Sequence, residues 1–148
     1  MAEFGVNIDP GHWDQARLIE ELIALGTPWV RLVLHGADQV SLCDQLAISG
    51  FKTLAVLDRD SLGTNQDHWR DAIGDYRRNY DGLVSLWQAG NEPDGPGASS
   101  WTMSRDTAIR LYSIAREEFG LINVIGPGLV SGQPDYAFST QCAIHPYG

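Results

Sequence analysis

Apolar positions along the chain fall into short continuous runs separated by longer stretches where they recur every three or four residues. The runs cover residues 4–8, 29–34, 51–57, 83–89, 122–125 and 142–144. Most are continuous rather than alternating, the pattern of parallel strands covered on both faces. Between them, Ala16, Ile19, Leu22 and Ile23 form one helical stripe. Trp69, Ile73, Tyr76 and Tyr80 form a second, and Ala108, Leu111, Tyr112, Ala115 and Phe119 a third. Gly26, Gly50, Gly82 and Gly120 each stand between a helical stretch and the next strand, where a left-handed residue ends a helix. The alternation predicts repeated βα units. Residues 126–141 break it: they hold two prolines and three glycines and have no helical period, so the helix after the fifth strand is predicted to be largely missing. No linker or low-complexity tract divides the chain, and 1–148 reads as one domain.

Composition narrows the function classes. The 148 residues are 43% hydrophobic and 20% charged, enough to bury a core. A net charge of −9 argues against nucleic acid or an anionic membrane surface as partner, since both need clustered cations. Cys43 and Cys142 are too few for a disulfide framework and are expected to be reduced and buried. No apolar run approaches the ~20 residues that span a bilayer. The N-terminus, Met1-Ala2-Glu3-Phe4, lacks the basic and apolar regions of a secretion signal. A soluble protein is expected. His12, His35, His68 and His145 have no metal-ligand spacing, and Gly126-Pro127-Gly128 lacks the Lys and spacing of a phosphate loop. Neither a metal nor a cofactor is expected.

The chemistry concentrates in Trp87-Gln88-Ala89-Gly90-Asn91-Glu92-Pro93-Asp94. A strand running into an Asn-Glu-Pro turn places a carboxyl at the strand's carboxyl end, where parallel α/β folds handle ligands. The residue before proline prefers extended backbone, so Glu92 is expected to stay strand-like and project into the mouth. A partly desolvated carboxyl there suits general acid catalysis; a loop-capping Glu is the plainer reading. Arg31, inside an apolar strand, is expected to meet a carboxylate, Glu92 or Asp58, either in a structural ion pair or beside a substrate. Trp101, beyond the loop 94–100, suits either a sugar-stacking platform or packing at a helix start, like Trp13 and Trp69.

The Asn-Glu-Pro segment resembles the strand-4 signature of clan A glycoside hydrolases, the retaining (β/α)8 enzymes that include family 5 cellulases and family 39 glycosidases. Trp29-Val30-Arg31-Leu32 is similar to the clan's strand 2, Phe4-Gly5-Val6-Asn7 to its strand-1 opening, and His145-Pro146-Tyr147-Gly148 to its strand-6 His-x-Tyr. The resemblance implies a partial (β/α)8 barrel with strands 1–6 in order, acting on β-linked carbohydrate. It implies Glu92 as acid/base, Asn91 on the sugar 2-hydroxyl, Arg31 in the site floor, and His145 and Tyr147 lining the subsite. A full barrel takes about 250 residues, and no residue here matches the clan's strand-7 nucleophile. Asp9, Asp58, Asp60 and Asp94 are the other carboxylates near the mouth. Two alternatives follow: an inactive remnant that binds carbohydrate through Asn91, Trp101 and Tyr147, or a half-barrel completed by another chain. Open edges at 4–8 and 142–144 predict a homo-oligomer joined there.

Overall fold

The computed structural model describes residues 5–9, 11, 14–95 and 101–129, with the backbone of 143–144. Parallel strands β1 (Gly5–Asn7), β2 (Trp29–Val33), β3 (Lys52–Leu57), β4 (Leu86–Ala89) and β5 (Val124–Ile125) form one sheet in the order of the chain. Helix α1 (Gln15–Leu25) connects β1 to β2, and α2 (Val40–Ile48) connects β2 to β3. The one-turn α3 (Arg59–Leu62), a 3-10 turn at Gln66–His68 and α4 (Trp69–Asn79) lead to β4; α5 (Arg105–Phe119) leads to β5. A second parallel pair, β6 (Gly128–Leu129) and β7 (Ala143–Ile144), continues from the carboxyl end of β4, where Gly128 bridges Asn91. The strand order across both pieces is therefore that of the sequence.

Local chemistry explains the element ends. Asp14 accepts the Arg17 N–H at 3.0 Å and Ser104 accepts that of Thr107 at 3.2 Å, so α1 and α5 each start on a side-chain cap. Gly26, at φ 69°, closes α1 by donating its N–H to the carbonyls of Leu22 and Ile23. Gly50, Gly82 and Gly120 have the positive φ that their placement predicts. The fifth run starts later than its hydropathy suggests. Leu121 and Ile122 are exposed in a turn where Asn123 donates to the Phe119 carbonyl, and pairing begins only at Val124. The stretch expected to lack a helix falls mostly outside the described residues, as do Cys142 and Trp13.

Register separates the two faces of the sheet. Leu32, Ala55, Trp87 and Val124 are cross-strand neighbours, and all four belong to the main hydrophobic core. That core also takes Leu18 and Leu22 from α1, Cys43 and Leu46 from α2, Ile73 and Tyr76 from α4, and Leu111 and Ala115 from α5. The four longer helices thus share one face. Within it Trp87 is stacked on Phe119 at 3.9 Å between centroids and met edge-on by Tyr76 and Tyr80. Burial also pushes the Cys43 thiol up to about 12, which makes it a small apolar core residue rather than a reactive one.

Right-handed crossovers that always step in the same direction place every helix on one side of a sheet. A doubly wound sheet reverses its order midway and covers both faces. Among the described strands there is no reversal. The opposite face carries Asn7, Arg31, Val33, Leu54, Val56, Leu86, Gln88 and Ile125, and its β1–β2 half is partly open.

Candidate functional site

The carboxyl ends of β1, β2 and β4 bring four polar side chains together on the face away from the helices. Arg31 in β2 donates through Nε to Gln88 Oε1 at 3.1 Å, through one terminal nitrogen to Asn7 Oδ1 at 3.1 Å, and through the other to Asn91 Oδ1 at 2.9 Å. These three acceptors are neutral amide oxygens, one from β1 and two from β4 and the turn after it, arranged around the flat guanidinium fork.

Gln88 completes the arrangement from below. It is fully buried, and its Nε2 donates to the Gly90 carbonyl at 2.8 Å while Oε1 accepts from Arg31. Both ends of its amide are therefore satisfied, as a polar group in a closed interior requires. Neither Gln88 nor Asn7 was singled out from the sequence as a site residue. The signal for Gln88 was an amide inside an otherwise apolar buried strand.

Glu92 is 3% exposed and is the only non-glycine residue with positive φ among those described, at 52°. The expected strand-like backbone is thus corrected: β4 ends at Ala89, and the chain turns left-handed at Gly90 (φ 94°) and again at Glu92. The cause is tertiary. The Glu92 N–H is drawn to the Gly128 carbonyl at 2.7 Å, and the Glu92 carbonyl accepts the Gly95 N–H at 3.0 Å. Pro93 and Asp94 occupy the middle of that turn, with proline at the position its fixed φ favours. Further bonds join the Trp101 N–H to the Asn91 carbonyl at 3.1 Å and the Met103 N–H to the Pro93 carbonyl at 3.3 Å. A left-handed backbone at a non-glycine residue costs stability, and such positions concentrate at functional sites.

Trp101 is 8% exposed and packs edge-on against Trp69 at 5.4 Å, within the core. Its indole is thereby withdrawn from the mouth, which corrects the sugar-platform reading in favour of packing near a helix start. Trp69 is the first residue of α4 and donates Nε1–H to the Gly63 carbonyl at 3.0 Å. His145 and Tyr147 lie outside the described residues.

Asp58 follows β3 at the same end of the sheet. Its Oδ1 accepts the N–H groups of Asp60 at 2.9 Å and Ser61 at 3.3 Å, capping α3. Burial raises its pKa; the two backbone donors, and the nearby His35, act in the opposite direction. Asp60 is exposed on α3, Asp94 is half-buried in the turn, and Asp9 accepts the Gly11 N–H at 3.1 Å. Among the described residues no group of three or more His, Cys, Asp or Glu is placed to hold a metal ion, and no helix is long and apolar enough to cross a membrane.

Compared with protein-family models, with curated proteins and with solved structures, the chain matches none.

Proposed function

We propose that the carboxyl end of this sheet is a carbohydrate site of the clan A glycoside hydrolase type, built on a partial (β/α)8 barrel. Glu92 is the acid/base and Asn91 the contact to the sugar 2-hydroxyl. The observation that carries the reading is the conjunction at residues 91–92. A buried carboxyl on a left-handed backbone follows directly on an amide held by Arg31, at the carboxyl end of a parallel sheet whose described strands run in chain order. That winding is the one that closes barrels.

The chemistry proposed is protonation of the glycosidic oxygen by Glu92 as the bond from the anomeric carbon to the leaving group breaks. Retaining hydrolysis needs a second carboxylate about 5–5.5 Å away. Asp58 is already engaged by the amides of α3, and no residue matches the clan's nucleophile, so the reading covers binding and the proton-transfer half. Azide can supply the nucleophile from solution. With azide present, Glu92→Gln lowers turnover of a β-glycoside with a poor leaving group by about 10²–10⁴-fold, and that of a dinitrophenyl glycoside far less. Equal rates for the two proteins on both substrates end the assignment.

A half-barrel assembly is the second reading, favoured by β1, which lies at the edge of the described sheet beside a half-open face. Two copies joined through the β1 and β7 edges would continue the parallel pairing from one copy into the next. Sedimentation at micromolar concentration gives a dimer or larger species on this reading; a monomer alone contradicts it.

A further inference from the structure

We propose that Gln88 is a positioning residue that couples the Arg31 guanidinium to the turn carrying Asn91 and Glu92. The inference rests on the carbohydrate reading of that site. It starts from a chain of bonds that runs through the Gln88 amide. Arg31 Nε donates to Gln88 Oε1, and Gln88 Nε2 donates to the Gly90 carbonyl, which also accepts the Gly128 N–H at 3.3 Å. Gly90 is the first left-handed residue of the turn, and Glu92 is bonded back to the same Gly128.

Gly90 has room for a β-carbon: one built there would lie 3.6 Å from the nearest atom, on Pro127. Its glycine is required by φ and not by space. A left-handed non-glycine residue such as Glu92 persists only where its surroundings over-determine it. Gln88 is one of those determinants, since its rigid amide fixes the Gly90 carbonyl on one side while Arg31 fixes the amide on the other. Arg31 in turn orients Asn91 through the 2.9 Å bond to Oδ1. One buried side chain thereby sets the direction of both the proposed hydroxyl contact and the proposed acid.

The test uses the 148-residue chain with Gln88→Met, which removes both bonds at similar volume, and Gln88→Glu, which keeps the acceptor for Arg31 but loses the donor to Gly90. Two quantities are read: amide hydrogen exchange at each residue, and affinity for β-linked gluco-, xylo- and manno-oligosaccharides. Gln88→Met is expected to speed exchange at Glu92 and Gly128 and to weaken glycan binding by about 5–100-fold, the range set by one orphaned buried partner. Exchange in the middle of β2 and β3 should keep its rate. Gln88→Glu should speed exchange at the turn as Gln88→Met does, and it decides the question if the methionine variant does not fold. Uniform acceleration across the sheet marks Gln88 as a core filler and overturns the proposal, as does unchanged exchange at Glu92 and Gly128. If wild type binds none of the oligosaccharides, the carbohydrate reading fails, and the exchange pattern alone still decides the role of Gln88.

Discussion

On the helix side of the sheet, the row Leu32, Ala55, Trp87 and Val124 meets aliphatic and aromatic side chains from four helices. One residue along on the opposite side, the row Val33, Val56, Gln88 and Ile125 carries a buried amide, and the row beneath it carries Arg31 and Asn7. The same strands therefore build an apolar interior on one face and, on the other, a hydrogen-bonded polar cluster set among apolar neighbours. The difference shows what each face is for. Apolar burial is non-directional and tolerates rearrangement, whereas a buried polar layer must satisfy every donor in one geometry. Only the second kind of surface can hold a carboxyl and an amide in a fixed mutual orientation, and Glu92 and Asn91 stand at its upper rim.

Substitutions matched across the sheet break the comparison or sharpen it. Trp87→Ala removes the stacked contact with Phe119 and the edge contacts with Tyr76 and Tyr80, and should cost about 3–5 kcal/mol of unfolding free energy. Leu54→Ala, half-buried on the opposite face, should cost about 1 kcal/mol. Urea unfolding measures both. Losses of equal size would show that the two faces bury their side chains alike and would remove the distinction.

A smaller effect tests the polar end through pH. Burial holds the Asp58 pKa above the ordinary carboxylate value, so folding favours its protonated form. That contribution is fully present below the unfolded pKa and is lost as pH rises through the folded one. An asparagine at this position would keep the cap to the Asp60 and Ser61 amides without carrying a charge. Asp58→Asn should therefore melt above wild type at neutral pH, with the gap closing as pH falls through the carboxylate range. Thermal melts across pH check it. A gap that widened on acidification would mean that Asp58 is stabilised as the carboxylate.

Much of the fold was legible because it depends on local pattern. The stripes at Ala16–Ile23 and Ala108–Phe119 fall inside α1 and α5, and the glycines after them take positive φ. The strand interiors were equally plain from their continuous apolar runs. What the pattern hid depends on contacts distant in sequence. Proline at 93 argues for extended backbone at Glu92, yet the distant Gly128 carbonyl goes with a left-handed one. Trp101 has the same hydropathy on a sugar platform as in a core, and only its contact with Trp69 decides between them. The one-turn α3 has no stripe to read and rests on the Asp58 cap. Within the site, Asn91, Glu92 and Arg31 were marked by residue type and motif, and the structure brings Arg31 onto Asn91. Gln88 was not marked, because its significance lies in what its two amide atoms touch.

If Glu92 and Asn91 form the rim of a β-linked glycan site, an oligosaccharide titration followed by amide chemical shifts gives saturable shifts centred on residues 31, 88, 91 and 92 at the carboxyl end of the sheet. They should persist in Glu92→Gln, which keeps the shape, and weaken by about 5–100-fold in Asn91→Ala, which orphans the hydroxyl contact and releases Arg31. No saturable shift with any β-linked oligosaccharide, or shifts confined to the opposite end of the sheet around Trp29 and Lys52, would contradict it.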